Sequence, residues 1–311
     1  AVYESLKKAK EFSSQSTEKD RLLIESQYAY RVEQDMEKRF HLLKELATRF
    51  PKEKENYSPL VSYYASRQLY PEALAAAEKA LALDPKWAVM LNHLAFIYEG
   101  RGDRAKAIET LEKAVIAVPD EPNLFDSLGE FYSKSGWLDE AIESYKKAVA
   151  IKPDFGTEEI IAYLRAVQGN FDDALLWIDQ FILMAPNNES KGLGYWWKAI
   201  FDHLAGRQTQ AGREMDRVRT LTESVGNLYG TAMAAYGQAY LRFDRGEYDP
   251  ALGSLEVGHR IAREMAAKTP VVLAGFEALC DFEKDLMQGY IAVRRGQAAA
   301  ARRSLASLEA T

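Results

Sequence analysis

The residue types that could carry chemistry in this chain of 311 residues are few and scattered. Its four histidines, His41, His93, His203 and His259, stand far apart, with no HExxH spacing and no pair of cysteines to complete a zinc-ligand set. Cys280 is the single cysteine, so no internal disulfide is possible and the redox compartment stays open. With Leu279 and Phe282 beside it, Cys280 reads as a packing thiol rather than a nucleophile. Gly192-Leu193-Gly194 comes nearest to a phosphate-cradling loop, but it follows no strand pattern and reads as a flexible opening to the next helix. Ser127-Leu128-Gly129 lies inside a helical pattern and lacks the strand-to-helix elbow that would expose a nucleophilic serine. The carboxylate pairs Asp172–Asp173 and Glu158–Glu159 fall where helices should begin, where acidic groups satisfy free amides and the helix dipole. No catalytic residue, metal ligand or cofactor site is assigned, and the chain is read as non-catalytic.

Composition narrows the classes further. Hydrophobic residues at 47% and charged residues at 28% describe a folded chain, neither disordered nor membrane-embedded. No apolar run approaches the roughly 18 residues that a spanning helix needs. A net charge of −6 lacks the electrostatic footprint of a nucleic-acid binder.

The elements that must position any site are helices. From Ala88 to Pro153 one pattern is written twice. Leu91, Leu94, Ala95, Tyr98, Gly102, Ala107, Leu111, Ala114 and Pro119 recur 34 residues later as Phe125, Leu128, Gly129, Tyr132, Gly136, Ala141, Tyr145, Ala148 and Pro153. Bulky residues at helical spacing indicate two amphipathic helices per copy. Gly102 and Gly136 end the first helix, and Pro119 and Pro153 close the second. Small residues at Ala95, Gly129, Ala107 and Ala141 let the paired backbones approach. One hairpin cannot bury its apolar stripe alone, whereas stacked neighbours can.

This grammar resembles the tetratricopeptide repeat (TPR). The resemblance implies an all-α, right-handed α-solenoid of about seven or eight helix-turn-helix hairpins. Residues 1–53 read as an N-terminal helix plus a degenerate repeat in which Arg39 takes the small-residue position. Residues 54–188 read as regular repeats, and 189–311 as longer, divergent hairpins with a C-terminal capping helix. The alanines opening the second helices, Ala73, Ala107, Ala141, Ala174, Ala211, Ala251 and Ala301, lengthen their spacing only after Ala174. Gly169, Gly206, Gly246 and Gly296 mark the later turns, each five residues before its alanine. The overall style looks like regions attached to bacterial signalling proteins. The chain begins without Met, and its first helix reads as half of a pair, which suggests a piece of a longer protein.

The resemblance implies that first helices line a concave groove for a protein or peptide. The groove candidates are then Asn92, Phe96, Asn123, Asp126 and Glu130, with Ser58, Ser62 and Lys134, in the early units. In the late units they are Tyr163, Trp196, His203, Tyr236, Tyr240 and Phe243. The expected partner carries apolar anchors and some basic residues. The same aromatic residues, at helical spacing, also suit a core. Adjacent Trp196 and Trp197 point about 100° apart, so one should rim the groove or a seam. Ser58, Ser62, His93, Asn123 and Ser127 stand where the carboxylate clamp of chaperone-binding relatives would need basic residues, which argues against Hsp70- or Hsp90-type tails. Two other functions fit the sequence: a homodimerisation module, and a small-ligand sensor or hydrolase site in the C-terminal units.

Overall fold

The computed structural model describes residues 2–268 and 276–309, with no description of the side chains of Val2 and residues 276–280. The expectation for Cys280 therefore falls outside what is described. Every regular element among the described residues is helical. The chain divides into two compact units, 1–155 and 156–311.

In the first unit α1 (Val2–Phe12) packs on α2 (Glu18–Tyr28), which winds into a π turn over Ala29–Glu33 before α3 (Met36–Arg49). Then follow α4 (Tyr57–Ser66) with α5 (Tyr70–Leu83), α6 (Ala88–Gly100) with α7 (Arg104–Ala117), and α8 (Pro122–Lys134) with α9 (Leu138–Ile151). The second unit pairs α10 (Glu158–Val167) with α11 (Phe171–Met184), α12 (Asn188–Leu204) with α13 (Gln208–Ser224), α14 (Leu228–Asp244) with α15 (Tyr248–Lys268), and α16 (Phe276–Arg294) with α17 (Ala298–Leu308). Each unit is an α-solenoid of stacked hairpins, the class expected from the repeat grammar.

The turn chemistry explains why the hairpins form. Gly102 and Gly136 adopt φ of 82° and 79°, and the amides of Asp103 and Trp137 reach back to the carbonyls of Tyr98 and Tyr132 at 2.9 Å each. Stepping back by 34 residues twice, the same position is held by Gln68 and Gln34, both left-handed at φ 58° and 55°. The repeat thus reaches the degenerate first pair without glycine. At the opposite side of each turn, Ala73, Ala107, Ala141, Ala174, Ala211 and Ala251 are completely buried, so the second helix crosses with no side chain between backbones. Ala301 is only partly covered, and no side chain of α17 is fully buried. The exposed Arg302 and Arg303 sit there on an end helix.

The first helices of successive pairs also touch one another: α4 meets α6, α6 meets α8, α10 meets α12, and α12 meets α14. That arrangement places first helices side by side within each unit.

Candidate functional site

In the first unit the groove candidates lie on α6 and α8. Phe96, two-fifths exposed, meets buried Phe131 edge-on at 5.0 Å between centroids. Glu130 accepts from Lys134 at 2.5 Å, and Asn123 is exposed at the start of α8. Ser58 and His93 lie within hydrogen-bond distance, 3.2 Å, across α4 and α6, while Ser127 is buried. Burial holds the His93 imidazole below its ordinary pKa. The Oδ1 atom of Asn92 is buried with no hydrogen-bond partner.

Asp126 is the strained member of this face. Burial, and secondarily the charge of Glu130 one turn on, push its carboxyl up to about 6. Its ordinary value is 3.8, so between those values the folded chain binds more protons than the unfolded chain. Stability therefore falls as pH rises through that window. Asp126→Asn is expected to raise stability at pH 7.5 by about 1 kcal/mol once solvent screening of this half-buried group is allowed for. That corresponds to a melting rise of roughly 2–4 °C. At pH 4.5 the gain should nearly vanish. Thermal melts at both values check it, and an equal gain at both would refute the assignment.

In the second unit the candidates converge. Along α12, Leu193, Trp196, Ile200 and His203 form one stripe; along α14, Tyr229, Met233, Tyr236 and Tyr240 form another. Between them lie two sockets. The first, about 430 Å³, is walled by Gly192, Leu193, Trp196, Tyr229, Gly230 and Met233 and floored by Val218 and Thr222 of α13. The second, about 280 Å³, is walled by Trp196, Ile200, Met233, Tyr236 and Tyr240 and floored by Met215. Trp196 and Met233 belong to both and form the partition.

Glycines make the room. A Cβ on Gly230 would sit 2.5 Å from Thr222 Cγ2, and one on Gly237 would sit 2.6 Å from Met215 Cε, so α14 beds down on α13 at these two points. Gly194 lets α12 approach α11, since a Cβ there would lie 2.4 Å from Ile182 Cγ1. Gly192 differs: its Cβ would meet only Thr222, at 3.7 Å, and its missing side chain leaves the first socket open. These glycines lie inside α12, correcting the expectation that Gly192-Leu193-Gly194 opens the helix flexibly.

The polar groups around the sockets are already engaged. His203 faces Gln208 Oε1 at 3.0 Å through Nδ1 and Asp244 Oδ2 at 3.4 Å through Nε2. The Tyr240 hydroxyl donates to Glu283, and burial together with that contact raises its pKa. Asn227 Oδ1 accepts from the Gly230 amide at 2.9 Å, and the Thr222 hydroxyl donates to the Val218 carbonyl at 2.9 Å.

The remaining candidates sit elsewhere. Tyr163 of α10 meets Trp197 at 5.7 Å, and Trp197 stacks on Phe201, so this tryptophan faces the α10/α11 pair while Trp196 faces α14. Phe243 turns to Tyr248 and Tyr290. Tyr236 is 8% exposed and packs with Leu255 and Met287, whereas Tyr240 is 42% exposed. The aromatic stripe therefore runs from core to surface. Gly192, Leu193, Tyr229 and Met233 were not among the sequence candidates; the i, i+4, i+7, i+11 run from Tyr229 to Tyr240 is the signal that locates two of them. A larger cleft in the first unit, about 690 Å³, lies between α3 and α5, but alanines and the stems of Lys44 and Lys79 make much of its wall. Recognition energy concentrates in aromatic side chains, which favours the sockets of the second unit. Among the described residues no group of three His, Cys, Asp or Glu is placed to hold a metal, and no described helix is long and apolar enough to cross a membrane.

Residues 88–115 and 123–155 match the tetratricopeptide repeat. No curated protein matches the chain. Among solved structures, the chain is similar to the C-terminal part of a TPR repeat-containing protein from Cytophaga hutchinsonii, at 16% identity and TM-score 0.58, covering 81% of this chain and 94% of that one. A tetratricopeptide repeat protein from Parabacteroides merdae aligns at 13% identity and TM-score 0.52, covering 83% and 92%. PilF of Pseudomonas aeruginosa aligns at 16% identity and TM-score 0.51, covering 72% and 96%. These likenesses concern the fold.

Proposed function

Starting from a tetratricopeptide-repeat protein, which the matched repeats and the stacked hairpins make this chain, we propose that it is a protein-interaction scaffold whose binding groove lies between α12 and α14. The observation that carries this reading is the pair of apolar sockets divided by Trp196 and Met233. Sockets lined by indole, phenol and thioether groups reward apolar anchor side chains, and a preformed helical wall adds little ordering cost on binding.

The test separates binding from folding through Gly192. Leucine there fills the first socket and meets nothing closer than van der Waals contact at its Cβ, and it also improves helix propensity by about 1 kcal/mol. Gly192→Leu is expected to leave melting unchanged or higher, while partners captured from an extract of the source cells fall at least tenfold relative to the unaltered bait. Trp196→Ala should reduce the same capture. Undiminished capture by both variants would remove the groove from the function.

A second reading is favoured by a separate observation. Tyr290, Val293 and Leu305, each more than half exposed, flank an apolar cleft of about 290 Å³ on α16 and α17. We infer a self-association face there. Light scattering that stays monomeric across the micromolar range would exclude it.

A further inference from the structure

The two sockets repeat at a fixed interval. On α12 they centre near Gly192 and Ala199, and on α14 near Tyr229 and Tyr236. Each step is seven residues, which at 1.5 Å rise per residue is about 10.5 Å along the groove. The occupant's anchors must match that distance and point the same way. In an extended strand three residues cover about 10 Å, but residues three apart face opposite sides. A polyproline segment also repeats on one face every three residues, at about 9 Å, and a helix does so every seven, at about 10.5 Å.

The polar inventory decides between these two. A polyproline or extended chain has no internal hydrogen bonds and needs donors and acceptors from its receptor. Here both nitrogens of His203, the Tyr240 hydroxyl, Asn227 Oδ1 and the Thr222 hydroxyl already face partners within the unit. A helix satisfies its own backbone and asks only for room for side chains. Charge supplies the flanks. Neither socket is lined by lysine or arginine; Glu189 stands at the first, and Asp244 and Glu283 adjoin the second through His203 and Tyr240.

Building on the groove reading above, we propose that the sockets seat an amphipathic helix of a partner protein, with large apolar residues seven positions apart and basic residues flanking them. The shared Trp196–Met233 partition sets the register, one anchor on either side.

Selection of a displayed library of random 16-residue peptides on the full chain tests this. Recovered peptides are expected to carry two large apolar residues seven apart, Lys or Arg outside them, and no proline between. Synthetic copies should gain helical circular dichroism on binding, weaken at least tenfold when the central residue becomes proline, and weaken at least tenfold against Gly192→Leu. Peptides that lose binding to Gly192→Leu but contain proline, or space their anchors otherwise, would overturn the helical occupant while the groove reading stands. So would a concentration-dependent dimer abolished by Gly192→Leu, since the occupant would then be a second copy. Peptides indifferent to both Gly192→Leu and Trp196→Ala, or no peptide at all, would overturn the groove reading together with the helix.

Discussion

Leucine in place of Gly129 is expected to lower the melting temperature of the first unit by roughly 6–12 °C, from an overpacking cost of about 3 kcal/mol at about 2–4 °C per kcal/mol. Gly129 is buried where α8 crosses α9, and a Cβ there would already stand 3.0 Å from three ring atoms of Tyr145. Tyr145 is itself 3% exposed, so its ring has no free volume to enter. Alanine adds one methyl against that ring and gains helix propensity, so Gly129→Ala should be near neutral. Leucine adds three further carbons with nowhere to go. The pair makes a coupling test: Tyr145→Ala alone leaves a cavity, but combined with Gly129→Leu it should recover part of the loss, giving a non-additive cycle. Melting measured for the four proteins checks this. Strict additivity would mean that the helices separate instead of pressing on the ring.

The same crossing shows what the sequence makes legible. Gly129, Ala95, Ala107 and Ala141 can be placed between helices from spacing alone, because a 34-residue period repeats the same contact in each unit. The turn at Gln68 carries no such sign: glutamine seldom adopts φ near 58°, and only counting 34 residues back from Gly102 marks it. The π turn at Ala29–Glu33 has no sequence signature at all. In the second unit the period lengthens, so a residue's counterpart in the previous pair no longer says which neighbour its face meets. That is why Tyr236, Tyr240 and Phe243 could be read as one stripe but not as a stripe that leaves the core, passes the socket and then turns to Tyr290. It is also why Gly192 and Gly194, two residues apart, escaped separate roles. One admits a neighbouring helix and the other leaves space, and only the positions of Ile182 and Thr222 distinguish them.

Helix α12 carries both fold and site on opposite sides, and truncation should pull the two apart. Trp197 and Phe201, four residues apart, face Ala162, Ala174 and Ile178 of the α10/α11 pair, while Trp196, Ile200 and His203 face α14. Phe201 is 1% exposed and stacked by Trp197 at 5.9 Å. Phe201→Ala is expected to cost about 3–5 kcal/mol through lost transfer energy and the cavity left behind. Melting of the second unit should drop by roughly 6–20 °C at about 2–4 °C per kcal/mol. Because stacked hairpins are coupled chiefly to their neighbours, the loss should open α10 and α11 before α14 and α15. Amide hydrogen exchange resolves this order. In Phe201→Ala, protection should fall across 158–184 while the amides of α14 keep theirs, and binding should weaken only as far as unfolding accounts for. Trp196→Ala should do the reverse, sparing exchange in α10 and α11 and removing the partition between the sockets. If both variants loosen the same amides to the same extent, α12 is a single packed core element and its outer stripe has no separate work.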